Sequence, residues 1–264
     1  MIKYRGCLRN KCRISKIILY SLFPVVLVLM NAACATGQSL SEKAKGDKTE
    51  FPASGKNAGQ ERWSHAALLI VDMQNDFVRE GAPMEVPDAR TTIPMNSQLI
   101  AFSRKAGIPV IYTRFLAGPQ RTLVWNWSPK LSAPVFACHR GFQRKYTDVN
   151  RTLDCSAIID ELAPQPADYI IEKYGYGAFH STSLDNTLKA LGITSLIITG
   201  TVTQICVEET AREAFHHGYL TTIVSDAVSS YMPDLHEATL KNFAMKFGWV
   251  STTAEVLNAL KDKR

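Results

Sequence analysis

Apolar residues in this chain come in short runs that end abruptly on a polar or charged residue, with amphipathic stretches between them. HAALLIV (65–71) is too short for a typical helix and stops at Asp72, which predicts a buried strand. Ile93–Ala106 has helical spacing and is stopped by Gly107-Ile108-Pro109. Val110–Thr113 reads as a second strand ending at Arg114, followed by a segment, 114–152, with little regular pattern. Asp154–Leu162 predicts a short helix closed by Pro164 and Pro166, and Tyr169–Glu172 a third strand delivering Lys173. A helix over Thr182–Leu191 comes next, then a strand over Ser195–Thr199. The turn GTVTQIC leads into a helix, with Val207, Ala211, Ala214 and Phe215 on one face. Leu220–Val224 and Trp249–Ser251 predict two more strands, and Leu235–Phe247 and Ala254–Lys261 two more helices. Strand alternating with helix implies a three-layer α/β/α doubly wound domain on a six-stranded parallel sheet.

In such a sheet, ligands bind outside the carboxyl ends of the strands. Asp72, Lys173 and Cys206 each follow a predicted strand directly or close the turn after it. Singly, each has an ordinary explanation: a turn carboxylate or cap, a solvated ammonium, a small buried hydrophobe at a corner. Together on one rim they suffice for nucleophilic acyl chemistry, with a thiol to attack, a carboxylate to move the proton and an ammonium to stabilise negative charge. A helix N-terminus at Cys206 would favour the thiolate. The chain contains no G-x-S-x-G elbow, P-loop or G-x-G-x-x-G.

Charge changes the picture at the N-terminus only. The formal net charge is +6, but Lys3, Arg5, Arg9, Lys11, Arg13 and Lys16 precede residue 35, and the other 24 Lys+Arg are matched by 24 Asp+Glu. The basic balance therefore gives no reason to expect nucleic-acid binding. A basic start, the apolar run Ile17–Met30 and the small residues around Cys34 predict a signal peptide or N-terminal anchor over 1–35. Three outcomes stay open: cleavage, acylation at Cys34 despite Asn31 where lipoprotein signals usually carry Leu, or retention as an anchor. Any membrane contact is expected through this segment alone, with an exported, periplasmic or tethered protein as the result. Residues 36–62 are polar and predict a flexible linker of roughly 30 Å, leaving 63–264 as the globular domain.

Cysteine usage follows the same division. Cys7, Cys12 and Cys34 belong to the N-terminal segment, and Cys138, Cys155 and Cys206 to the domain. Export with an odd number of body cysteines predicts a Cys138–Cys155 disulfide and one free thiol, against the alternative of two buried reduced thiols.

The blocks LLIVDMQNDF (68–77), IIEKYGYGAF (170–179), GTVTQICVEETAREA (200–214), SDAVSS (225–230) and FGWVSTTAEV (247–256) resemble those of the isochorismatase-like cysteine hydrolases, in order from about Ala66 to Leu260. The resemblance implies a catalytic triad of Asp72, Lys173 and Cys206. It further implies a cis peptide between Val202 and Thr203, and an oxyanion hole from the Thr203 and Cys206 N–H groups. It implies a homo-oligomer, and pocket walls that include Phe77, Tyr176 and Phe179. Arg114-Phe115-Leu116 stands where the nicotinamidase branch carries its metal motif, so neither metal nor organic cofactor is expected. Isochorismatases often lack the nucleophilic cysteine. The likeness therefore points to the N-carbamoylsarcosine and ureidoacrylate amidohydrolase branch, with a small amide or carbamoyl substrate cleaved through a thioester. Two alternatives remain, an ether or ester hydrolase of the same fold and a non-catalytic exported binding protein.

Overall fold

The computed structural model describes residues 58–262, and the readings above that concern residues 1–57 lie outside them. The central sheet has six parallel strands: β1 (Ala66–Val71), β2 (Val110–Phe115), β5 (Tyr169–Lys173), β6 (Ser195–Thr201), β7 (Leu220–Ser229) and β8 (Trp249–Ser251). Their order is β5-β2-β1-β6-β7-β8. The chain winds outward from β1 through β2 to β5, then returns to the other side of β1 and winds outward again. The reversal lies between β1 and β6, where a doubly wound sheet opens a crevice at its carboxyl edge.

β1 shows why a continuous apolar run is required in the middle of this sheet. Leu68 and Ile70 enter one core, while Ala67, Leu69 and Val71 enter the other. With both faces covered, no position on β1 can be polar. Helices α3 (Ile93–Ala106) and α8 (Thr253–Lys261) contribute to the first core. Helices α5 (Leu184–Ala190), α6 (Glu208–His216) and α7 (Pro233–Lys246) contribute to the second. Local signals set the helix ends. Gly107 closes α3 in the left-handed region at φ 71°, and Thr252 with Glu255 forms a capping box at the start of α8.

Gly200 makes the closest approach between β1 and β6. It pairs with Val71, its φ is 106°, and a Cβ there would stand 2.1 Å from the Val71 carbonyl oxygen. Only glycine fits, and its register shift lets β6 continue to Thr201 opposite Ser229.

Three boundaries differ from the sequence reading. A short helix, α1 (Ala58–Glu61), lies inside the stretch assigned to the linker, and the Arg62 guanidinium stacks over Trp63 at 4.5 Å and Trp249 at 5.1 Å. Asp154–Leu162 is not a helix. Its first residue ends an antiparallel hairpin, β3 (Gln143–Tyr146) with β4 (Arg151–Asp154), and only Asp160–Leu162 forms a single 3₁₀ turn. The Asp154 carboxylate takes the Ser156 N–H and hydroxyl at 2.8 Å each and the Gly141 N–H at 2.9 Å, so the side chain builds a turn instead. Finally, the chain after β6 does not enter α6 at once. Two further short helices are α2 (Asn75–Val78) after β1 and α4 (Leu123–Trp127) in the 114–152 excursion.

Candidate active site

Asp72 is the first residue after β1, with φ at 49°. Thr113 on the neighbouring β2 fixes it: the Asp72 N–H donates to Thr113 Oγ1 at 3.1 Å, and that hydroxyl donates to Asp72 Oδ1 at 2.6 Å. Lys173 ends β5, one strand further out, and pairs in register with Phe115. Its side chain passes over the Phe115 ring, 5.2 Å from the centroid, and brings Nζ to 2.7 Å from Asp72 Oδ2. Nζ also donates to the carbonyls of Gly175 at 3.1 Å and Tyr176 at 2.8 Å. Both side chains are fully buried. Burial alone would lower the Lys173 pKa, but Asp72 and Cys206 outweigh it, and the ammonium is held above its usual range.

Cys206 lies in a π-helical turn, Thr203–Val207, before α6 begins at Glu208. Val202 O accepts from both Ile205 N at 3.1 Å and Val207 N at 3.2 Å, which widens the turn. The buried thiol lies beside the Asp72 carboxylate and the Lys173 ammonium, which act on its titration with opposite sign. The thiol is held up at about 12: burial raises it most, Asp72 raises it further and Lys173 opposes both. Two strand-end residues and the thiol of the turn after β6 thus come together at the β1/β6 crevice.

The cis peptide is Thr201–Val202, one bond earlier than the Val202–Thr203 position implied by the family resemblance. The reason is the length of β6, which pairs through Thr201 and leaves the sheet at the next bond. The Thr203 hydroxyl meets His236 Nδ1 on α7 at 2.9 Å.

A cavity of about 720 Å³ opens above Cys206. Val202 and Ile205 line it beside the thiol, and Phe77, Phe115 and Tyr176 form an aromatic wall. Ring centroids are 6.3 Å apart for Phe77–Phe115 and 6.5 Å for Phe115–Tyr176. The Tyr176 hydroxyl lies 3.2 Å from Ser128 Oγ, linking the wall to the excursion. Phe77 and Tyr176 were expected here. Phe179 is not: it is buried in the second core, stacked on His217 at 4.7 Å and tilted against Tyr219 at 5.7 Å, because Ala178 and Phe179 turn back onto α6. That turn is fixed by the Phe179 N–H donating to Glu213 at 2.9 Å. Sequence reasoning missed Phe115, although its place at a strand end beside Thr113 was available as a signal. Arg114, its neighbour, pairs with Glu172, which also takes Arg140.

The isochorismatase domain model matches residues 66–255 of the chain. The chain belongs to the isochorismatase-like hydrolase family. It is 33% identical over 211 residues to the ureidoacrylate amidohydrolase RutB of Methylobacterium radiotolerans, covering 73% of this chain and 78% of that one. It is 34% identical over 202 residues to the RutB of Agrobacterium fabrum, covering 72% and 87%. Among solved structures, a cysteine hydrolase from Pseudomonas syringae pv. phaseolicola aligns with a TM-score of 0.68 at 27% identity, covering 76% of this chain and 94% of that one. The N-carbamoylsarcosine amidase from Thermoplasma acidophilum aligns with a TM-score of 0.58 at 28% identity, covering 71% and 96%.

In this family member the excursion is tied to the motif that carries Asp72. Asp76, on α2 and fully buried, accepts the Cys138 N–H at 2.8 Å, Arg144 Nε at 2.8 Å and the Tyr146 hydroxyl at 2.7 Å. Gln74 clamps β2 from the same helix entry, accepting the Phe115 N–H at 2.7 Å and donating to the Phe115 carbonyl at 2.9 Å. Cys138 and Cys155, expected as a disulfide, are both free buried thiols. The Cys155 thiol is engaged elsewhere, donating to the His139 carbonyl at 3.3 Å, and burial raises both thiols well above their usual range. Among the described residues, no group of three or more His, Cys, Asp or Glu side chains could hold a metal ion.

Proposed function

We propose that this chain is a cysteine amidohydrolase that cleaves a C–N bond of a small amide, carbamoyl or ureido compound. The observation that carries the reading is the contact of the Cys206 thiol with a buried Asp72–Lys173 pair beside an open cavity. The amidohydrolase names of the relatives support the choice of bond.

The thiol is protonated at neutral pH, so attack begins with proton transfer from Sγ to Asp72, while Lys173 stabilises the thiolate. Sγ adds to the carbonyl carbon, and the electron pair moves onto oxygen. Backbone N–H groups of the turn that carries Cys206 receive that oxyanion, the role the family resemblance gives to Thr203 and Cys206. The C–N bond breaks as Asp72 returns the proton to the leaving nitrogen, which departs as ammonia or an amine and leaves a thioester. Water then adds with Asp72 as base, the C–S bond breaks, and the thiol recovers its proton. No metal or organic cofactor takes part in this scheme.

The test is ammonia release from a panel of carbamoyl, ureido and amide compounds by the native chain and by Cys206→Ala. Turnover that survives Cys206→Ala would sink the proposal. Release of an alcohol or carbonyl product without ammonia would move the chain to an ether or ester hydrolase of the same fold. We propose as well that the chain is exported, on the sequence pattern of residues 1–35.

A further inference from the structure

We infer that the cavity is built for a primary amide or carbamoyl compound whose acyl substituent is bulky, uncharged and apolar, an arylalkyl or extended alkyl group; this rests on the amidohydrolase reading of Cys206. Its volume of about 720 Å³ lies in the range of about 300–1,000 Å³ that takes drug-sized ligands, far more than a ureido acid of a few atoms would fill. Around the thiol the lining is aliphatic and aromatic, through Val202, Ile205, Phe77, Phe115 and Tyr176.

The rim continues the same surface outward. Trp127 is 83% exposed and Tyr231 51% exposed, and both line the cavity. Large aromatic side chains left open at the mouth of a pocket are apolar area that a ligand can cover. The lining holds two charged residues, Glu85 and Lys130. Glu85 pairs with Arg90 at 2.8 Å and accepts the Gly81 N–H at 2.9 Å, and the exposed Lys130 donates to the Pro83 carbonyl. Among the lining residues the one cation is Lys130, exposed and tied to the Pro83 carbonyl, while the surface around the thiol is apolar and offers a long chain continuous contact.

The test uses the full chain and the series acetamide, butanamide, hexanamide and 3-phenylpropanamide, with ureidoacrylate and glutaramate as charged comparators. Each added methylene is expected to raise kcat/KM about fourfold, and hexanamide should exceed glutaramate. Trp127→Ala should narrow the ratio between 3-phenylpropanamide and acetamide. A kcat/KM that is flat or falls with size, or ureidoacrylate as the best substrate, overturns the inference while the amidohydrolase reading stands. If no compound releases ammonia, that reading fails and protection of Cys206 from alkylation decides. Protection by 3-phenylpropan-1-ol but not by glutarate supports the apolar ligand class, and equal or absent protection overturns it.

Discussion

Lys173 Nζ and Asp72 Oδ2 stand 2.7 Å apart with both side chains fully buried, and the Cys206 thiol lies within the electrostatic influence of both. The two charges act on the thiol with opposite sign. Lys173→Met removes the group that favours the thiolate, so the pH midpoint for alkylation of Cys206 should rise. Asp72→Asn removes the group that opposes it, so the midpoint should fall while turnover is lost with the proton carrier. Each single change strands a buried charge and should cost about 3–5 kcal/mol of stability; the double variant should recover part of that. The measurement is iodoacetamide labelling against pH with Cys138 and Cys155 replaced, alongside urea melts. Shifts of the same sign would dissolve the triad.

Alkaline pH should unfold this domain early. Burial holds Cys206 and Cys155 up at about 12 and raises Cys138, while Lys173 is raised against its own burial by Asp72 and Cys206. A group whose folded pKa exceeds its unfolded value contributes fully below the unfolded value and loses that contribution as pH climbs to the folded one. For the thiols the window opens at about 8.5 and for Lys173 at about 10.4. Within it the native state binds more protons than the unfolded one, so each group costs up to about 1.4 kcal/mol per pH unit. Urea midpoints at pH 8, 9, 10 and 11 should fall progressively, and Cys155→Ala should flatten the decline. A midpoint constant to pH 11 would contradict the buried thiols.

What the sequence made legible was the part governed by local pattern. HAALLIV had to be a strand covered on both faces, and Ile93–Ala106 carried its own stop at Gly107, so the α/β order and the strand ends at Asp72 and Lys173 could be read directly. What it hid depends on pairing across the chain. The end of β6 is set by Thr201 pairing with Ser229 past the irregularity at Gly200. The hairpin at 143–154 is set by Asp154 bonding to Gly141, and the inward turn of Phe179 by Glu213 on a later helix. None of these partners is near in sequence, so apolar periodicity carries no trace of them.

Export can be checked without knowing the substrate. Expressed in a Gram-negative host, the chain should appear in the periplasmic or membrane fraction. Its mass should show cleavage near Cys34, a lipidated Cys34, or an intact anchor. Full-length protein in the cytosol, free of membranes, would contradict the reading of residues 1–35.

Asp76 is expected to be the residue whose loss uncouples the excursion from the active site. Its carboxylate takes three donors from 138–146, two of them the Arg144 guanidinium and the Tyr146 hydroxyl on one oxygen. The same excursion supplies Trp127 and Ser128 to the cavity, and Ser128 meets Tyr176. Asp76→Ala leaves the Arg144 charge without its buried partner and should cost about 3–5 kcal/mol, whereas Tyr146→Phe removes one hydrogen bond to a charged acceptor and should cost about 1.5–3 kcal/mol. Because Asp72 and Lys173 keep their own contacts with Thr113 and the Gly175–Tyr176 carbonyls, the alkylation midpoint of Cys206 should move little in Tyr146→Phe. KM should rise more than kcat falls, as expected when a wall of the cavity loosens and the reacting groups do not. The check is steady-state kinetics beside urea melts of Tyr146→Phe. A fall in kcat with KM unchanged would place the hairpin's influence on the chemistry itself and refute the anchoring role.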